Sequence, residues 1–231
     1  SIDSVYQANT TSGFSIVTYT GSSSGNNGTA STVAHGLGAV PKWIWFIPRD
    51  AYDGCVYHEQ VATDPATDKL ILAASSASDA QTGASDDSGF FNDTEPTSTV
   101  FSIGTRKHSN SNGGMVAYCF AEVEGFSKFG SFTGNGSTDG TFVHTGFRPQ
   151  FVIAKCSSHS SAWHIVDADI DVNPVGYLNA NTSDPYQDYN HYDLLSNGFK
   201  IRDNGTESNR SSGTFIYMAF AEAPFKYANA R

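Results

Sequence analysis

The sequence predicts an all-β protein: an internally duplicated antiparallel β-sandwich, made of two tandem jelly-roll or concanavalin-like units. Three observations predict it. The 231 residues include 22 glycines and 13% aromatics, a composition of short strands and tight turns. Gly and Pro interrupt almost every apolar run before it reaches helical length. One ordered set of motifs also occurs twice, and an internal repeat decides the fold before any single element does.

The repeat reads as follows. Phe120-Ala121-Glu122 returns 100 positions later as Phe220-Ala221-Glu222. Gly13-Phe14-Ser15 returns as Gly125-Phe126-Ser127. Each opening runs into a Gly/Ser/Asn/Thr turn, then into Val33-Ala34-His35-Gly36-Leu37 or Val143-His144-Thr145-Gly146-Phe147. A proline and a dense apolar run follow, Pro41 to Ile47 in one copy and Pro149 to Lys155 in the other. The seam falls at Glu124-Gly125. This divides the chain into an N-terminal arm or linker (1–12), a first sandwich repeat (13–124) and a second (125–231).

Taken in order, Ser1 to Ser12 is polar and without period, hence the arm. Ser15 to Thr20 and Thr32 to His35 read as strands separated by a polar loop at Ser22 to Thr29. Lys42 to Ile47 is apolar on both faces, which marks a central strand. Trp43, Trp45, Phe46 and, in the second copy, Ile153 are therefore expected in the core. Asp53-Gly54 is a strand-joining turn, followed by strands at Val56 to Gln60 and Lys69 to Ala74. Asp64 to Ala74 is the one stretch that could be mistaken for helix. Ser75 to Ser88 is a long loop, and Asn92 to Ser98 a turn region around Pro96. Thr99 to Ile103 and Met115 to Glu122 close the first copy. The second repeats this course to the Asp203-Asn204-Gly205 turn and the strand Thr214 to Ala221. Roughly seven strands per copy match sandwich proportions.

The net charge of −10 argues against a nucleic-acid partner, which requires a basic stripe. No apolar run has the length of a membrane span, and no signal peptide is visible. The chain begins at Ser1 without Met, which fits either Met removal or a piece of a longer protein. Three cysteines, Cys55, Cys119 and Cys156, match no zinc spacing and read as small buried hydrophobes.

Several candidate sites dissolve under their own chemistry. His35 and His144 occupy matched places, and a duplicated histidine suits a turn whose ring bonds backbone better than it suits catalysis. Asp167 to Asn173 alternates acid and apolar like a calcium loop, but Val172 stands at position six and Leu178 at position twelve. His58-Glu59 and His164 lack a second zinc-ligand spacing. Ser160 and Ser161 near His159 lack a nucleophile elbow. Glu122 and Glu222 are matched between copies, whereas glycosidase carboxylates must flank one cleft. Seven Asn-x-Ser/Thr triplets fit a surface rich in Asn, Gly, Ser and Thr. Tyr186, Tyr189, His191 and Tyr192 cluster in one Asn/Asp-rich loop and form the candidate recognition surface. No catalytic residue, metal or cofactor is expected.

The motifs Gly13 to Gly21, His35-Gly36-Leu37-Gly38 with Pro41, Val116 to Gly130, Leu195 to Lys200 and Tyr217 to Lys226 resemble a domain of unknown function. That domain is found in structural proteins of marine tailed phages, often beside concanavalin-like lectin domains. The resemblance spans about Gly13 to Lys226. It departs around Asp167 to Pro174, where an Arg usual in members is missing, so no role of that Arg carries over. The resemblance implies a non-enzymatic virion protein on the particle exterior, a tail-fibre or host-surface-binding module. The alternatives are a capsid decoration (cement) protein and, from a different class, a glycan depolymerase. The implied partners are other virion proteins and further copies of the chain, with a host-surface glycan as an additional candidate.

Overall fold

A computed structural model describes residues 1–50, 52–61, 70–72, 88–170 and 175–222. Strands make up 47% of the described residues and helices 4%, so the protein is all-β with sandwich-like to near-barrel sheets. The described residues fall into two compact units, one ending at Glu122 and the other beginning at Val123.

The first unit contains β1 (Ser4–Asn9), β2 (Phe14–Tyr19), β3 (Ser31–Ala34), β4 (Trp43–Pro48), β5 (Gly54–His58), β6 (Leu70–Leu72), α1 (Ser88–Phe91), β7 (Val100–Ile103), α2 (Lys107–Asn110) and β8 (Met115–Phe120). Its main sheet runs β1-β2-β8-β4-β5-β6, all antiparallel, and β3 pairs with β7 in a separate ribbon. Period-2 alternation fixes the register. Ser15, Val17 and Tyr19 are buried on β2 and lie opposite Cys119, Ala117 and Met115 of β8. The ribbon supplies Val33, Phe101 and Ile103 to the same core. Phe101 meets Phe46 edge-on at 5.3 Å and Tyr19 at 5.9 Å, which joins the two layers.

The second unit contains β9 (Ser127–Thr133), β10 (Phe142–His144), β11 (Pro149–Cys156), β12 (Trp163–Asp167), β13 (Val175–Asn179), β14 (Gln187–Leu195), β15 (Gly198–Ile201) and β16 (Thr214–Ala221). These form one antiparallel sheet in the order β10-β15-β14-β13-β12-β11-β16-β9. The sheet curls so that Phe199 of β15 packs edge-on against Tyr217 of β16 at 5.3 Å and Phe132 of β9 at 6.0 Å.

Pairings in the two units correspond. The series β2–β8–β4–β5–β6 has the counterpart β9–β16–β11–β12–β13, and β3–β7 has the counterpart β10–β15. Trp43 faces Phe120 as Phe151 faces Phe220, and the parallel holds to Pro48–Met115 and Cys156–Phe215. A buried asparagine recurs too. Asn110 Oδ1 accepts Ser22 N–H at 2.9 Å, and Asn209 Oδ1 accepts Asn135 N–H at 3.0 Å. Asn110 Nδ2 donates to the carbonyls of Thr29 and Gly104, and Asn209 Nδ2 to those of Ser137 and Asp203. The chain must pass close by. A Cβ on Gly21 would lie 2.2 Å from Asn110 O, and one on Gly134 would lie 2.3 Å from Arg210 O.

Several expectations need correction. The stretch 1–12, read as a non-periodic arm or linker, holds strand β1 at Ser4–Asn9, registered along β2 from Ser4↔Tyr19 to Asn9↔Phe14. It was hidden because an edge strand with one wet face needs little apolar content. His35 and His144 are not counterparts. Gly36 and Gly146 both have positive φ (73° and 86°), and aligning them matches His35 to Thr145. The His35 ring accepts Leu37 N–H at 3.2 Å and bonds Thr97 O at 3.1 Å, while Thr145 Oγ1 serves Phe147 in the same turn. His144 is exposed. Trp43, Phe46 and Ile153 are buried as expected, but Trp45 is only half-buried. The short helices α1 and α2 were not foreseen. All three cysteines are free and buried, and burial raises the Cys119 thiol pKa. Of the stretch 64–88, only β6 and Ser88 lie among the described residues. No helix among the described residues is long and apolar enough to cross a membrane.

Candidate functional site

The candidate recognition residues lie on and just before β14 in the second unit, where the ladder breaks. Val175 pairs with Tyr192 and Tyr177 with Gln187, so two steps along β13 span five along β14. Asp188–His191 therefore bulges from the ladder, a device that re-aims side chains. Tyr189 rides on this bulge and is 66% exposed, the most open aromatic ring among the described residues.

The bulge gathers a polar and aromatic group from four parts of the unit. Tyr189 meets His191 edge-on at 5.8 Å, and His191 meets Tyr177 of β13 edge-on at 4.7 Å. Tyr177 in turn stacks on His164 of β12, centroids 3.9 Å apart and planes 15° from parallel. His164 Nδ1 lies 3.0 Å from the Tyr192 hydroxyl. Two carboxylates from the segment after β15 complete the group: Glu207 Oε2 is 3.7 Å from His164 Nε2, and Asp203 Oδ2 is 3.3 Å from His191 Nδ1.

Electrostatics follow from burial. Desolvation holds both histidines below the usual imidazole range, outweighing the pull of Glu207 on His164 and of Asp203 on His191. Burial pushes the Asp203 carboxyl up, but hydrogen bonds from Ser208 and the Gly205 N–H outweigh it and leave Asp203 below its ordinary value. The His164 neighbour lowers Glu207 likewise. Burial, then the charges of Glu207, Asp203 and Asp184, raises the Tyr177 phenol. The site thus joins an aromatic row, mostly shielded, to carboxylates that stay ionised. That combination suits stacking on the flat face of a polar ring while accepting its hydroxyl hydrogens.

The four predicted residues fare differently. Tyr189 and His191 stand in the patch. Tyr186 is half-buried, and its hydroxyl accepts Gly176 N–H at 2.9 Å, so it braces β13. Tyr192 is a correction: it is fully buried, because it and Leu194 point inward once the period-2 pairing with β15 resumes. Sequence reasoning missed Tyr177, Asp203 and Glu207 as site members. They lie on the segments flanking β14 and share no motif with it, so only the sheet pairing and the turn after β15 bring them to the site.

Other candidates resolve locally. Glu222 is paired with Arg148 at 2.9 Å. His159 contacts Ser158 at 2.9 Å rather than Ser160 or Ser161. Of the calcium-like stretch, Asp171 to Asn173 lies outside the described residues, and Asp167 Oδ1 accepts Asp169 N–H at 2.9 Å in a turn. Among the described residues no group of three or more His, Cys, Asp or Glu side chains could hold a metal ion.

Comparison with curated proteins and with solved structures finds no match. The profile of one family, a domain of unknown function (DUF7483), matches residues 1–224. With almost the whole length matched, the chain belongs to that family of unknown function.

Proposed function

We propose that the protein is a bacteriophage virion structural protein, an exposed tail-fibre or host-surface-binding module without enzymatic activity. The phage setting is supported by the motif resemblance. The binding role is carried by one observation: the bulge of β14 lifts Tyr189 into solvent, 66% exposed, beside His191, Tyr177 and ionised carboxylates. A glycan is the ligand class such a patch fits. A single shallow site of this kind binds weakly, and many copies facing one cell convert weak contact into useful avidity. The partners are other virion proteins and further copies of the chain on the particle exterior. An acidic protein of net charge −10 suits this role better than nucleic-acid binding.

We also infer that the two units are one jelly-roll-like module written twice. The support is the corresponding pairing order and the repeated buried asparagine. A capsid decoration role is the second reading. It is favoured by β1, an edge strand with Val5 75% and Tyr6 49% exposed, which offers neighbours a pairing edge.

Retention on immobilised bacterial surface polysaccharides tests the binding role. The protein is expected to be held by at least one polysaccharide, and Tyr189→Ala to weaken binding about tenfold, as for an aromatic anchor worth about 1.4 kcal/mol. No reducing ends should be released. Steady release, abolished by Glu207→Gln, would favour the depolymerase instead. Equal retention of wild type and Tyr189→Ala would remove the patch from the account.

A further inference from the structure

The same region carries a second property, independent of whether the patch binds a glycan. Among the described residues, strand β13 is paired with β12 at His164↔Asn179 and Ile165↔Leu178, with Ala180 N–H donating to Trp163 O just beyond, and with β14 at two positions on either side of the bulge. By contrast, β11 and β16 share seven pairs. Side chains bridge what the ladder leaves open. His164 of β12 stacks on Tyr177 of β13 and meets the Tyr192 hydroxyl of β14, while Tyr177 meets His191 of β14. Two histidines thus tie three strands together.

We propose that this cluster is an acid-released clasp: protonation of His164 and His191 frees β13 and the bulge of β14 from β12, reshaping the surface around Tyr189.

The physical reason is the cost of a buried cation. The His164 side chain is 2% exposed and that of His191 12%, so burial makes a charge on either ring costly in the closed clasp. An opened clasp hydrates both rings and lets them take up protons at the ordinary histidine value, about 6.5. Protons therefore favour the open form as pH falls below that value, which is the sign expected when the closed-state pKa is depressed. The facing groups do not reverse this. Glu207 and Asp203 attract the histidine protons, yet burial outweighs them. Their own depressed values stabilise the closed form above the ordinary carboxylate range and cease to do so only in stronger acid. Asp184, at the start of the turn before β14, and Lys155 of β11 act on Tyr177 and Glu207 at longer range. Burial raises the Tyr177 and Tyr192 phenols, so both stay uncharged throughout this range.

Hydrogen–deuterium exchange, corrected for intrinsic rates, reads the clasp directly. It is measured at about pH 7.5 and about pH 5.5, either side of the histidine value. Protection in residues 175–195 is expected to fall about tenfold or more on acidification, while β11 and β16 keep theirs. His164→Gln should blunt the response, and so should His191→Gln at its less buried position, where folding is not at risk. A pH-independent pattern in wild type would overturn the proposal. So would a loss of protection spread evenly over β9, β11 and β16, or a full response in His191→Gln with His164→Gln also unchanged.

Discussion

Phe46→Ala is expected to destabilise the first unit by about 3–5 kcal/mol, the range for emptying a large aromatic site. Phe46 is fully buried on β4, which is held between β8 and β5. Its ring meets Phe101 edge-on at 5.3 Å and Phe91 at 5.5 Å, so it joins the main sheet to both the β3–β7 ribbon and α1. Little can collapse into the gap, because flanking strands fix the backbone on both sides. Urea unfolding should show a large fall in midpoint with an unchanged slope. A midpoint near that of wild type would contradict the placement of Phe46 at the junction of the two layers.

Asn209→Ala and Asn110→Ala should each cost on the order of 3 kcal/mol, because each buried amide loses at least three hydrogen bonds at once, worth about 1 kcal/mol apiece. Both side chains are fully buried. Removing the Asn209 amide strands the Asn135 N–H and the carbonyls of Ser137 and Asp203. Removing that of Asn110 strands the Ser22 N–H and the carbonyls of Thr29 and Gly104. Thermal unfolding of the two variants should show losses of similar size, since the two asparagines hold corresponding turns. A loss below about 1 kcal/mol at either site, the worth of one ordinary hydrogen bond, would mean that water replaces the asparagine there.

The sequence announced those elements whose physics is local. Lys42 to Ile47 reads as a central strand because it is apolar on both faces, and β4 is central. Asp53-Gly54 reads as a turn, and Gly54 opens β5. The repeat motifs mark the strands that pair correspondingly in the two units. What stayed hidden depends on tertiary partners rather than on local pattern. Strand β1 is an exposed edge whose order comes from β2. Helix α2 has no side-chain cap at Arg106, hence no start signal. His35 and His144 share a residue type, whereas the positive φ shared by the two turns falls at Gly36 and Gly146, one and two positions after them. Asn110 and Asn209 carry no signal of their own in the sequence, and their role appears only through the turns they hold. At the candidate site, Tyr189 and His191 were legible as a polar aromatic cluster. The burial of Tyr192 was not, because the bulge breaks the alternation by which a strand is read.

The central claim, that this is an exterior virion module, is tested most directly by locating the chain on the phage particle. Electron microscopy of particles carrying a gold-labelled or density-tagged copy gives the position. The account predicts label on the outside of the particle, in a symmetric or repeating arrangement, at the tail fibres or, on the second reading, over the capsid surface. Label confined to the capsid interior, or particles lacking the chain altogether, would contradict it.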